Sequence, residues 1–153
     1  MPISVTDHHV AARAAVKAVL DAVGIGLTVY ALDDQESDIA TVDLPAVVVA
    51  CVGPEQERSE LHTNVHDGIG FPVAVLLMGL GQTSGTKSAS LPNLTLFRRQ
   101  VRVSFHNKRL SAVSQNCWCE VSDSGPIYDK DSPAVQKLQT ALVVTCVGRY
   151  LRE

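Results

Sequence analysis

The residues best equipped for chemistry are four cysteines, Cys51, Cys117, Cys119 and Cys146, and five histidines, His8, His9, His62, His66 and His106. Cys117-Trp118-Cys119 is the closest pairing among the cysteines. On a strand its two thiols point to one face, and two further ligands would complete a tetrahedral zinc site. The missing pair would have to come from Cys51, Cys146 or a histidine. No second close pair exists in the sequence, so packing beside Trp118 is the preferred reading. A thiol nucleophile needs a neighbouring base and a lowered pKa, and no histidine shares a motif with a cysteine. Cys51 and Cys146 lie in apolar runs, where a free thiol serves as a small hydrophobe. All four read as reduced, because the disulfide-framework argument applies to short secreted chains. His62 and His66 lack the glutamate of a helical His-Glu-x-x-His zinc motif, so they read as surface residues.

Other chemistries leave less trace. Gly79-Leu80-Gly81 lacks the third glycine of a dinucleotide loop and the Gly-Lys-Ser/Thr of a nucleotide-phosphate loop. Gly68-Ile69-Gly70 precedes a strand, the wrong order for a dinucleotide site. Both read as turns. The acidic cluster Asp33, Asp34, Glu36 and Asp38 lacks the ligand alternation and bend glycine of a calcium loop, and Gly-x-Ser-x-Gly is missing. The sequence therefore predicts no catalytic, cofactor-binding or metal site. Arg98, Arg99, Arg102, Lys108 and Arg109 form a basic cluster. It reads first as a solvated face, second as a subunit contact able to pair with the acidic Asp33–Asp38 segment, and third as a nucleic-acid surface. The third reading lacks aromatic stacking partners.

Charge and length bound the partners. A net charge of -3 disfavours a general nucleic-acid binder, whose affinity comes from neutralising phosphates. The polar opening residues do not resemble a secretory leader. No apolar stretch, the run around Val73 to Met78 included, approaches the roughly 20 residues of a membrane span. The expectation is a soluble protein made in a cytoplasm. Residues 1–153 fit one domain, large enough to bury a substantial core. The charged fraction of 19% is below the roughly 25% of ordinary domains, which suits either a thick core or a surface covered by a partner.

The elements that must position these residues follow from periodicity. Thr6 or Asp7 can cap a first helix ending at Gly24, with Val10, Ala14, Ala18 and Ala22, flanked by Ala11, Ala15 and Val19, as its apolar face. Leu27–Leu32 is a short strand. Valine-rich Pro45–Val52 reads as a strand buried on both faces. Leu61, Thr63 and Val65 alternate as a half-exposed strand or hairpin arm, and Phe71–Met78 is a second apolar strand. Gly79 to Pro92 is a polar, mobile loop. Leu94, Phe97, Val101 and Phe105 form a helical stripe, while Arg99, Val101, Val103 and Phe105 also fit the alternation of a strand. The length of the run, the Asn93 cap and the arginines falling mostly off the stripe favour a helix to about Leu110. Trp118–Val121 and Leu138–Leu151 complete the set as strands. The connections between the middle strands are too short and polar for crossover helices. The fold class is thus α+β, a mainly antiparallel sheet with two helices packed on one face, in the order α-β-β-β-α-β-β.

This order resembles the tail terminator and neck-completion proteins of tailed bacteriophages. The likeness is carried by the Ala-rich helix ending at Gly24, by Leu44-Pro45-Ala46-Val47-Val48-Val49 after an acidic loop, and by Phe71-Pro72-Val73-Ala74-Val75. The basic helix with Leu96-Phe97-Arg98-Arg99 and the terminal strand up to Arg149-Tyr150-Leu151 complete it. The resemblance implies a virion structural protein without catalysis, assembled in the host cytoplasm. It would form a homo-oligomeric ring, of six copies in the usual case, that caps the tail tube and joins it to the head-side connector. It implies no cofactor, no membrane and no sequence-specific nucleic acid. The polar 79–92 loop is longer and more polar than a simple connection needs, which leaves open whether it contacts the tube, the connector or nothing. Two other readings stand beside this one: a small cytoplasmic enzyme whose cysteine or histidine site, at Cys119 or His106, assembles only in three dimensions, and a ligand-binding regulatory domain.

Overall fold

The computed structural model describes residues 7–23, 28–31, 46–79, 94–111, 113, 117–123 and 138–151. Helix α1 spans His8–Val23 and α2 Leu94–Phe105; the strands are β1 Val29–Ala31, β2 Ala46–Cys51, β3 Gln56–Glu57, β4 His66–Gly79, β5 Cys117–Asp123 and β6 Leu138–Leu151. The sheet order is β1-β2-β4-β6-β5, with β3 pairing the first part of β4. This is the expected α+β arrangement.

The centre of the sheet is one long antiparallel pair. β4 and β6 stay in register over fourteen residues each, from His66 opposite Leu151 to Gly79 opposite Leu138. β-branched and apolar side chains dominate both strands, as suits a pleated surface buried by its neighbours. Alternation then sorts the side chains. Val47 and Val49 of β2, Phe71, Val73, Val75 and Leu77 of β4, Leu142, Val144 and Cys146 of β6, and Cys117 and Cys119 of β5 all join the core that the helices cover. The opposite face is buried along its centre too, at Ala46, Val48, Ala74, Thr145 and Val147. Valine-rich β2 is therefore enclosed on both sides, as its continuous apolar run predicts.

Both helices lie on one face, α1 over β1, β2 and β4 and α2 over β5 and β6. The Asp7 carboxylate accepts the Val10 N–H at 3.1 Å, capping α1 as expected. The buried stripe of α1 differs from the expected one. Ala12, Ala15, Val16 and Leu20 face the sheet, while Val10, Ala14, Ala18 and Ala22 are exposed. An alanine-rich helix offers two overlapping stripes at 3.6-residue spacing, and the one carrying larger Val16 and Leu20 buries more apolar area. In α2 the stripe Phe97, Val101 and Phe105 is buried as predicted, and the exposed Val103 shows why strand alternation fails there.

Other expectations are corrected. Helix α2 stops at Phe105 rather than near Leu110, because Asn107 takes a left-handed conformation with φ 55, a helix-ending role asparagine tolerates. Lys108 and Arg109 therefore lie beyond the helix. There, Arg109 bridges Trp118 along the outer side of β5. Arg98 is not on a solvated face: it is buried and its guanidinium donates to Thr140 Oγ1 at 2.7 Å and the Ala141 carbonyl at 2.9 Å. β1 runs parallel to β2, although the sheet is otherwise antiparallel. The fourteen residues from 32 to 45 between them meet the dozen or so that a parallel crossover requires.

The segment Leu61–Val65 is no strand. A 3-10 turn covers Ser59–Leu61, and the chain reverses through Thr63, whose N–H donates to the His66 carbonyl. Gly68-Ile69-Gly70 is likewise no turn but part of β4. Its glycines serve close approach: a Cβ on Gly68 would stand 2.3 Å from the Arg58 carbonyl oxygen and 2.4 Å from Leu61 Cβ. β4 consequently begins five residues before the predicted Phe71. The acidic cluster Asp33–Asp38, Gly24, the Asn93 cap and positions 80–92 of the polar loop lie outside the described residues.

Gly68→Ala forces the 3-10 turn off the sheet, and we expect a loss of about 1–3 kcal/mol in urea unfolding. Arg98→Ala leaves the Thr140 hydroxyl and Ala141 carbonyl without their charged donor, for a loss of about 2–3 kcal/mol in the same assay.

Candidate functional site

The β5–β6 pairing assembles the chain's chemically active groups. Cys117 and Cys119 project to the helix-covered face of β5, and Cys146 of β6 stands directly opposite Cys119. All three thiols are free and buried. The short Cys-Trp-Cys spacing thus finds a third thiol, supplied by strand register rather than by sequence proximity. Cys51 is not part of the group. It is half-buried at the end of β2, not in the interior of its apolar run, and its thiol donates to the His9 carbonyl at 3.4 Å.

Tyr150 closes the thiol group. Its hydroxyl stands 3.5 Å from Cys117 Sγ and 3.2 Å from the Cys146 carbonyl oxygen, positioned to donate to either. The Cys146 thiol, and after it the Tyr150 hydroxyl, hold Cys117 below the ordinary thiol range. Cys146 is pushed far above that range by its hydrogen bonds to Cys117 and Cys119, with burial adding to them. Burial first, and the neighbouring thiol of Cys117 second, raise the Tyr150 phenol. Two of these groups therefore remain neutral, and Cys117 is the one favoured to ionise.

Around Tyr150 an aromatic cluster fastens the start of α1 to the sheet. The Tyr150 and Phe71 rings meet edge-on with centroids 4.9 Å apart, and His8 lies 4.6 Å from Tyr150 and 5.5 Å from Phe71. His9 packs edge-on against Phe71 at 4.8 Å and reaches Glu55 at 3.1 Å. The Nδ1 of His8 is buried with no hydrogen-bond partner among the described residues. The five histidines do not converge. His62 Nδ1 accepts the Gly68 N–H at 2.8 Å, which leaves Nε2 to carry the proton and donate to Glu57 at 3.1 Å. His66 is bonded to Thr63 and exposed His106 to Asn107. These are ties between neighbouring segments. Among the described residues no group of three or more His, Cys, Asp or Glu side chains is placed to hold a metal.

A depression of about 490 Å3 opens beside the cluster, lined by Leu61, Asn107, Arg109, Cys117, Trp118 and Arg149. Arg149 Nε donates to the Leu61 carbonyl at 3.0 Å, and Arg58 donates to Glu120 at 2.8 Å. Both bonds tie the loop before β4 across the sheet. Arg99 and Arg102 remain exposed on α2. The basic cluster read from sequence is therefore dispersed over three places: buried Arg98, the exposed side of α2, and the edge beside β5.

That edge is the other feature of note. The Cys119 N–H donates to the Lys108 carbonyl and the Leu110 N–H donates to the Cys117 carbonyl, so the segment 107–110 covers the first half of β5. By strand parity the N–H and C=O groups of Val121 and Asp123 also point outward, and no described residue pairs with them. The opposite edge of the sheet is β1, three residues long. Compared with known proteins, the chain matches no family model and no curated sequence. No described helix is long and apolar enough to cross a membrane.

Tyr150→Phe removes a donor from Cys117 and the Cys146 carbonyl. We expect about 1 kcal/mol lower stability and a thiolate absorbance titration of Cys117 displaced to higher pH, since the lost bond favours the ionised thiol.

Proposed function

We propose that this chain is a non-enzymatic structural protein of a tailed-bacteriophage virion. In this reading it closes into a homo-oligomeric ring, capping the tail tube and joining it to the head-side connector. The observation that carries the proposal is the pair of unlike edges at which the described sheet ends: a short parallel strand, β1, on one side and the half-covered antiparallel strand β5 on the other. A closed ring needs two different surfaces on each subunit that meet head to tail. Unpaired strand edges are templates for adding another chain.

The element order supports the same reading, because helix, strands, helix and closing strands follow the pattern of tail terminators. The described side chains also serve structural ends. His62, Arg58, Arg98 and Arg149 each tie one segment to another. Six copies and a place in the virion neck follow from the resemblance alone.

A second reading rests on the Arg109, Trp118 and Arg149 depression, whose two cations and aromatic face suit a small anionic ligand. In that case the chain is a ligand-binding regulatory domain. A stoichiometric small anion retained on purification, with no binding to tail tubes, would decide for it.

The joining proposal is tested by adding the purified protein to isolated phage tail tubes and imaging them. Rings seated at one end of the tube support it, and bare tube ends with free monomer count against it. Val121→Pro removes an outward-facing donor while leaving the β6 side of the strand paired. We expect this variant to keep its far-UV circular dichroism and lose ring formation.

A further inference from the structure

Cys119 and Cys146 sit opposite one another across β5 and β6, and the backbone fixes how closely. Both main-chain groups of Cys119 turn away from β6: its N–H donates to the Lys108 carbonyl at 2.9 Å, and its carbonyl accepts the Asn107 N–H at 3.1 Å. The two cysteines are therefore a non-hydrogen-bonded pair of the antiparallel ladder, the kind whose Cα atoms approach to roughly 4.5 Å. A disulfide requires Cα atoms roughly 4.4–6.8 Å apart. Both side chains stand on the same face and both are fully buried. Cys117 is opposite Gly148, so its relation to Cys146 is diagonal, at roughly 7–8 Å between Cα atoms. The favoured partner of Cys146 is Cys119.

We propose that Cys119 and Cys146 form a latent cross-strand disulfide that a peroxide closes. The Cys119 sulfur attacks one oxygen of hydrogen peroxide and the O–O bond breaks. The thiol proton leaves with the departing hydroxide as water, and Cys119 becomes a sulfenic acid. The Cys146 sulfur then attacks the Cys119 sulfur, the S–O bond breaks, and the Cys146 thiol proton leaves with that oxygen as a second water. In sum, two thiols and one peroxide give one disulfide and two waters. The bond would lock β5 to β6 beside the edge that the joining reading uses, but the inference stands independently of that reading.

The test uses the full chain. Purified protein is treated with hydrogen peroxide, alkylated, digested without reduction and mapped by mass spectrometry. The expected result is a loss of two hydrogen masses, one linked peptide pair containing Cys119 and Cys146, and alkylated Cys51 and Cys117. The oxidised protein should melt roughly 5–10 °C higher. Cys117→Ser and Cys51→Ser should both still form the 119–146 bond, since neither residue belongs to the pair. Four alkylated cysteines after peroxide treatment of folded protein would overturn the proposal, as would a link made to Cys51 or to Cys117. The wild-type map needs no variant, so a misfolded serine variant leaves the test intact.

Discussion

The fold depends on the register between β4 and β6. Fourteen residues of each strand pair without a break, and every other described strand attaches to one of these two directly or through β2. β2 and β3 pair with β4, β5 pairs with β6, and β1 joins through β2. A slip of one residue would turn Phe71, Val73, Val75 and Leu77 out of the helix-covered core and bring Pro72, Ala74 and Leu76 in. The same register places Cys146 opposite Cys119 and Tyr150 beside Cys117. The core, the thiol group and the two sheet edges thus share one geometric origin.

Two devices hold this register against sliding. On the helix-covered side, Phe71, Tyr150 and His8 interlock around the first turn of α1, and Arg98 of α2 is bonded to the other end of β6 at Thr140 and Ala141. On the opposite side, the 3-10 turn sits on Gly68, where only a hydrogen atom fits, and is tied to Arg149. Each helix therefore engages a different end of the long ribbon. A buried guanidinium is stabilising only with its hydrogen bonds satisfied, and Arg98 has partners on β6. In the proposed ring, that arrangement would hold the subunit's shape while its edges bind neighbours.

Much of this was legible in the sequence where size and periodicity agreed. Leu138–Leu151 is β-branched and apolar at Val143, Val144, Thr145 and Val147, and it is one strand over that span. Phe97, Val101 and Phe105 share one helical face and are buried together, and Asp7, one of the two cap candidates with Thr6, caps α1. Legibility failed where two patterns competed. The alanines of α1 fit two stripes, and only the positions of Val16 and Leu20 choose between them. Gly68 and Gly70 signal a turn and a close approach equally well, and the second holds because a separate segment, 58–61, packs there. The buried role of Arg98 depends on β6, some forty residues away, which no local spacing reveals. The Cys117–Cys119 pair was visible as a spacing, but its third thiol is a consequence of strand register.

The central claim is that unlike sheet edges let copies of this chain close on one another. The most direct measurement is the particle mass in solution by light scattering over a concentration series, with electron microscopy of the same sample. The account predicts a discrete species at a small whole multiple of the 16.4 kDa chain, seen as closed rings or formed once tail tubes are added. A species that stays at 16.4 kDa at every concentration, with tubes present and with no rings in the images, would contradict it.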